Sequence, residues 1–259
     1  MSATPQMAQS ISVSDNSTFL RSTLAQTRVE LLMTLRRGES VLITVIVPVV
    51  LLVFFASLNI VPAGTKPVDF LLPGILALAV MATGMVSLGI ATAYERYYGV
   101  LKRLGGSPLP RSGLVTAKIL SVLALEALQI VLLVGIAALA YGWRPAGDWL
   151  ITLLTLILGT AAFAGLGLAM AGALRAEATL AGANGLYLVF LLLGGGILPL
   201  SHLPGPLAGL AQFLPAAALT DALRASMTNG AAFPTSDLIL LAIWAAGILL
   251  FTIRSFKWE

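Results

Sequence analysis

The chain has 259 residues, 58% of them hydrophobic and only 10% charged, with a formal net charge of +4 and a mean hydropathy of +0.97. Soluble domains carry about 25% charged residues, so a water-soluble globular protein is excluded and an integral membrane protein is expected. Cysteine is absent, which removes disulfides and thiolate metal sites and leaves the compartment open.

Residues 1–17 are rich in Ser, Thr and Gln and carry one charge, Asp15, a composition that predicts a disordered tail. The first long apolar run begins only near Val41, so no cleaved secretory signal is expected. Residues 18–38 read as an amphipathic interfacial helix. At about 100° per residue, Leu20, Leu24, Leu31 and Leu35 fall on one stripe. Arg21 and Arg28 flank that stripe, while Gln26, Glu30 and Arg37 lie on the other side. Two surfaces suit such a helix: the lipid headgroup plane or a soluble partner.

Six spans follow, each long enough as a helix to cross a hydrocarbon core of about 30 Å. They cover residues 41–61 (with Pro48 inside), 70–93, 114–141, 149–174, 178–198 and 237–253. Between the second and third lies the densest polar stretch, residues 94–112, YERYYGVLKRLGGSPLPRS. Residues 199–236 form a segment broken by Pro199, Pro204, Pro206, Pro215 and Pro234. The three glycines Gly194, Gly195 and Gly196 before Pro199 predict that the fifth helix breaks there. With both termini inside, 12 basic residues fall on the cytoplasmic side: Arg21, Arg28, Arg36, Arg37, Arg96, Lys102, Arg103, Arg111, Lys118, Arg175, Arg254 and Lys257. Only Lys66, Arg144 and Arg224 fall outside, and this bias predicts cytoplasmic termini and a cytoplasmic 94–112 stretch; the membrane expected is the plasma (inner) membrane.

Within the spans, Glu126 lies near the middle of the third, with Gln129 one turn on along the same face. A carboxylate at that depth must face protein or a wet cavity. It reads equally as a substrate-path or proton-linked group and as a clamp between two helices. Asn184 and Asn59 are weaker substrate-path candidates that also suit helix–helix hydrogen bonds. Small residues cluster at Gly159, Ala161, Gly165, Gly167 and Gly172, as close helix packing requires. No GxxxxGK[ST] phosphate loop, HExxH or GxSxG motif occurs, so no catalytic centre, metal site or nucleotide site is expected in this chain.

Two stretches carry a resemblance. Glu95-Arg96, Gly99, Leu101-Lys102-Arg103-Leu104, then Pro108 and Arg111, are similar to the cytoplasmic signature of type-2 ATP-binding cassette export permeases. Val100 stands where that family commonly has threonine. The segment GGGILPLSHLPGPLAGLAQFLPAAALTDALR resembles the proline-rich segment after the family's fifth span. The resemblance covers residues 18–259. It implies an all-α membrane domain of six transmembrane helices, with an interfacial connecting helix, a coupling helix in 94–112, and short external helices in 199–236. It further implies a non-catalytic subunit that dimerises, binds two copies of a separate ATPase holding ATP and magnesium, and itself binds no nucleic acid or cofactor. In this reading Glu95, Arg96, Gly99, Leu101, Lys102, Arg103, Leu104, Pro108 and Arg111 serve ATPase coupling. The short external turns are most similar to antibiotic-resistance permeases of the daunorubicin-exporter kind, so export of a hydrophobic or amphiphilic compound is expected. Lipid or lipid-linked glycan export, a proton-coupled carrier using Glu126, and a non-transporting scaffold are the alternatives.

Overall fold

The computed structural model describes residues 15–36, 38–58, 66–106, 109–197 and 203–255. Among these there is no strand, and the elements are α1 (Asp15–Arg36), α2 (Gly38–Ser57), α3 (Pro67–Val80), a π-helical stretch (Met81–Ser87), α4 (Leu88–Tyr97), α5 (Val100–Gly105), α6 (Arg111–Tyr141), α7 (Trp149–Ala173), α8 (Ala176–Leu193), α9 (Gly205–Ala211), α10 (Pro215–Ser226) and α11 (Thr235–Ser255). This is an all-α membrane protein. Five helices are long and apolar enough to cross a bilayer: Pro67–Tyr97, α6, α7, α8 and α11. The span expected at 41–61 corresponds to α2, whose described apolar part, Thr44–Ser57, is shorter. Residues 59–61 lie outside the described residues, as do residues 1–14 of the tail expected at 1–17.

The centre of the bundle is the rod formed by α3, the π-helical stretch and α4. Of its most apolar window 83% is buried, against 22% for both α8 and α11. Pro67 opens the rod at a position where a missing N–H costs nothing. Its π-helical part lies where α7 crosses. A Cβ on Gly167 of α7 would fall 2.6 Å from the Met85 carbonyl oxygen, and one on Gly89 would lie 3.0 Å from Gly167. The two backbones therefore touch, and only glycine permits it. Two other glycines of α7 receive different neighbours: Gly159 admits Leu219 of α10, and Gly165 admits Ile248 of α11. Thr252 of α11 adds a hydrogen bond, donating from Oγ1 to the Gly165 carbonyl at 3.1 Å.

Chain breaks follow the local chemistry. Asp148 caps α7, its Oδ1 accepting from the backbone N–H of Leu150 at 2.8 Å and of Ile151 at 3.3 Å. Gly142 ends α6 with φ +61°, in the left-handed region glycine favours. After α8 ends at Leu193, the Gly194–Gly196 turn presses on the rod: a Cβ on Gly74 would sit 2.0 Å from the Gly196 carbonyl oxygen. Arg224 of α10 ties the same corner together. Its guanidinium stands 4.3 Å from the centre of the Phe70 ring, donates to the Gly195 carbonyl at 3.0 Å and pairs with Asp221 at 3.2 Å.

Helix α1 lies against α6 with its amphipathicity inverted relative to a soluble helix. Leu20 and Leu24 are about 60% exposed, whereas the side chains of Thr23 and Glu30 are buried. The apolar stripe seen in the sequence thus points away from the protein, and the polar face makes the contact.

Candidate functional site

A cavity of about 710 Å³ runs along the rod. Its walls are apolar through most of their length, with Val47, Pro48 and Leu51 of α2, Val86 of the π-helical stretch and Leu125 of α6. Asn184 and Tyr187 of α8 supply polar groups on one side. Glu30, Glu95 and Lys118, with Tyr94 and Tyr98, line the end next to α5.

The polar stretch at that end is divided differently from the sequence expectation. Nothing breaks the helix before Gly99, so the second span continues through Glu95 and Arg96 to Tyr97. At 1.5 Å per residue the 31-residue rod is about 46 Å long, well beyond the ~30 Å core. Gly99, at φ +71°, then turns the chain into α5. Glu95 is buried and pairs with Lys118 at 2.7 Å. Arg96 donates from Nη1 to the Gly172 carbonyl at 2.6 Å and from Nη2 to the Leu174 carbonyl. It thereby closes the C-terminal end of α7, where a cation is favoured. Leu101 points inward onto Leu109 and Leu114, with Leu104 packed on them. Lys102, Arg103 and Arg111 are exposed, as are Tyr97 (66%) and Tyr98 (69%). Pro108 lies outside the described residues.

The candidates within the spans also separate. Asn184 lines the cavity while donating to the Leu180 carbonyl of its own helix at 2.8 Å. Gln129 stands behind the wall. It donates to the Thr44 carbonyl of α2 at 2.9 Å and accepts from Thr83 of the π-helical stretch at 3.3 Å. Glu126 does not line the cavity; it is buried against α7, with Oε2 bonded to the Thr160 hydroxyl. Asn59 lies outside the described residues.

The sequence reading passed over Lys118, counting it only among cytoplasmic charges. Its side chain is 0% exposed and is held by Glu30 at 3.0 Å as well as by Glu95. The signal in the sequence was a lysine inside an apolar run, which requires a partner; nothing in the spacing names Glu30 and Glu95 as that partner.

Comparison with known proteins bears on this architecture. The family model described as ABC-2 type transporter matches residues 21–228. The chain is similar to the Bacillus subtilis (strain 168) protein named as a transport permease, YvfS, at 26% identity over 201 residues, covering 73% of this chain and 79% of that one. It is also similar to ABC transporter G family member 20 of Dictyostelium discoideum, at 30% identity over 169 residues; there the match covers 64% of this chain but only 23% of the much longer relative. The family match takes in most of α1, the cavity walls, the α4–α5 elbow and α10, and the chain belongs to the ABC-2 type transporter family of membrane permeases.

Proposed function

We propose that the chain is the membrane-spanning subunit of an ATP-driven exporter for hydrophobic or amphiphilic, drug-like compounds. The observation that carries this is the cavity of about 710 Å³, apolar along the rod and polar at the end where the elbow lies. An amphiphile fits that pattern, with its apolar body along α2 and the π-helical stretch and its polar group towards Tyr94 and Tyr98. Energy enters from outside the chain. Two copies of a separate ATPase, each holding ATP and magnesium, engage the elbows of two permease copies on the cytoplasmic side of the plasma membrane. The exposed Tyr97, Tyr98, Lys102 and Arg103 form a mixed aromatic and basic surface, which suits a groove with an apolar floor and an acidic rim. The outward apolar faces of α2 (Ile46, Val50, Phe54) and α8 (Leu188, Leu192) suit the contact between the two copies.

The rival, a proton-coupled carrier working through Glu126, is not favoured, because that carboxyl lies outside the cavity lining. The test is reconstitution with the ATPase in proteoliposomes and measurement of doxorubicin movement. ATP-dependent movement that needs both proteins is the expected result. Movement driven by a proton gradient without the ATPase would overturn the assignment, and ATP-driven movement of a fluorescent phospholipid but not doxorubicin would transfer it to lipid export.

A further inference from the structure

Three helices converge on one ammonium at the foot of the cavity. Lys118, in the first turns of α6, donates to Glu30 Oε2 of α1 at 3.0 Å and to Glu95 Oε2 of α4 at 2.7 Å. The second oxygen of Glu30 is occupied by Gln26 Nε2 at 2.8 Å. The next residue of the α4 turn, Arg96, holds the end of α7 through two carbonyls. Consecutive side chains at the base of the rod therefore reach α6, and through Lys118 also α1, on one side and α7 on the other, just before the Gly99 turn into α5.

We propose that Lys118 is a positioning residue for transport: its pairing with Glu30 and Glu95 makes α1, the foot of the rod and α6 move as one body when the elbow is displaced. This rests on the exporter reading above, through which the displacement arises. Stability alone does not call for ions here, since a buried ion triad replaced by apolar side chains of similar size is often neutral or stabilising. A contact of two or three ångströms does supply sensitivity to position. If α1 or α4 slips along α6, the ammonium is left unpaired beside an apolar cavity, which is costly. Intermediate positions are thus disfavoured, and push on the elbow reaches the cavity wall instead of being lost between helices. Apolar packing cannot take over the task on α1, because the apolar stripe of that helix points outward.

Two variants test this. Glu30→Gln leaves the Lys118–Glu95 pair balanced, and the triple change Glu30→Gln, Glu95→Gln, Lys118→Met leaves no charge uncompensated. The chain has no cysteine, so spin labels on Leu24→Cys in α1 and Leu128→Cys in α6, in chains diluted with excess unlabelled chain, report the α1–α6 distance within one copy. In the permease alone, in nanodiscs, that distance should be narrowly distributed in the otherwise native chain and broader in both variants; unchanged widths would overturn the proposal. With the ATPase in proteoliposomes, doxorubicin moved per ATP hydrolysed should fall roughly fivefold in the variants, and Lys118→Arg should retain most of it. A native ratio in a variant whose label distance has broadened would also overturn it. If the native pair moves no doxorubicin, the exporter reading fails, and the label distances still decide whether Lys118 joins the three helices.

Discussion

The hydroxyl of Thr160 lies between the Glu126 carboxyl and the carbonyl of Leu156, within hydrogen-bond reach of both. One hydroxyl hydrogen cannot serve two acceptors, so the arrangement is complete when the carboxyl supplies the second hydrogen. Glutamine provides the same geometry through its amide. Glu126→Gln should therefore change the melting midpoint little, by less than about 1 kcal/mol in stability, and leave transport and its pH profile unaltered. A shifted pH profile would return Glu126 to the transport path. Arg224 is a different case, since its guanidinium serves Asp221, the Gly195 carbonyl and the Phe70 ring together. Arg224→Ala should lower stability by roughly 2 kcal/mol, read as a fall in melting midpoint. Burial raises the Asp221 carboxyl above its ordinary value, against the pull of Arg224. A carboxyl raised in the folded state costs stability at neutral pH, and the cost disappears as pH falls through its folded pKa. Asp221→Asn should thus leave the midpoint unchanged or higher at pH 7, with any gain shrinking towards acid pH. The contrast between Glu126 and Lys118 marks what the sequence could show. A carboxylate in mid-span was conspicuous, but a lysine near a span's end resembles a loop charge, and periodicity does not reveal that α1 folds back to bury it.

At the scale of elements, α7 shows why small residues were legible as packing but their partners were not. Gly159, Gly165 and Gly167 each admit a different neighbour, an assignment that depends on tertiary arrangement rather than spacing. Gly167 is the strictest, because the atom in the way is a backbone oxygen at 2.6 Å that cannot rotate aside. Gly167→Ala should cost about 1–3 kcal/mol, while Gly185→Ala in α8, where nothing stands within 4 Å, should cost nothing measurable; thermal unfolding in one detergent compares them. That five of the apolar runs form long helices followed from hydropathy, which reads the solvent directly. The end of the second span did not, because Tyr94–Tyr97 carries charges but no helix breaker, and the rod runs on until Gly99. That extension separates the charges of the elbow by position: Glu95 and Arg96 face inward, Lys102 and Arg103 outward. Reversing Lys102 and Arg103 to Glu together should weaken co-purification with the ATPase and leave the permease's melting midpoint intact. An unchanged association would remove these two side chains from the docking surface.

For the whole molecule, the central rod explains why the fold class was readable from composition while the arrangement was not: every span is apolar, but only one is enclosed by the others. The opposite situation holds at the periphery. Helix α1 meets the body through a polar face, where Thr23 and Glu30 are buried, and turns leucines outward. Handling outside a bilayer then becomes a variable of the protein's own structure. The Lys118–Glu30 pair holds the inner face of α1, and a lipid surface against the outward leucines would hold the other, so solubilisation would remove one of two attachments and Glu30→Gln the other. Limited trypsin digestion at the exposed Arg21 and Arg28 should be faster in detergent micelles than in nanodiscs of matched protein concentration, and fastest in Glu30→Gln in detergent. Equal rates in both environments would mean that α1 draws nothing from the bilayer. The choice of membrane mimic therefore enters any measurement on the permease, because a preparation that releases α1 also withdraws Glu30 from Lys118 at the foot of the central rod.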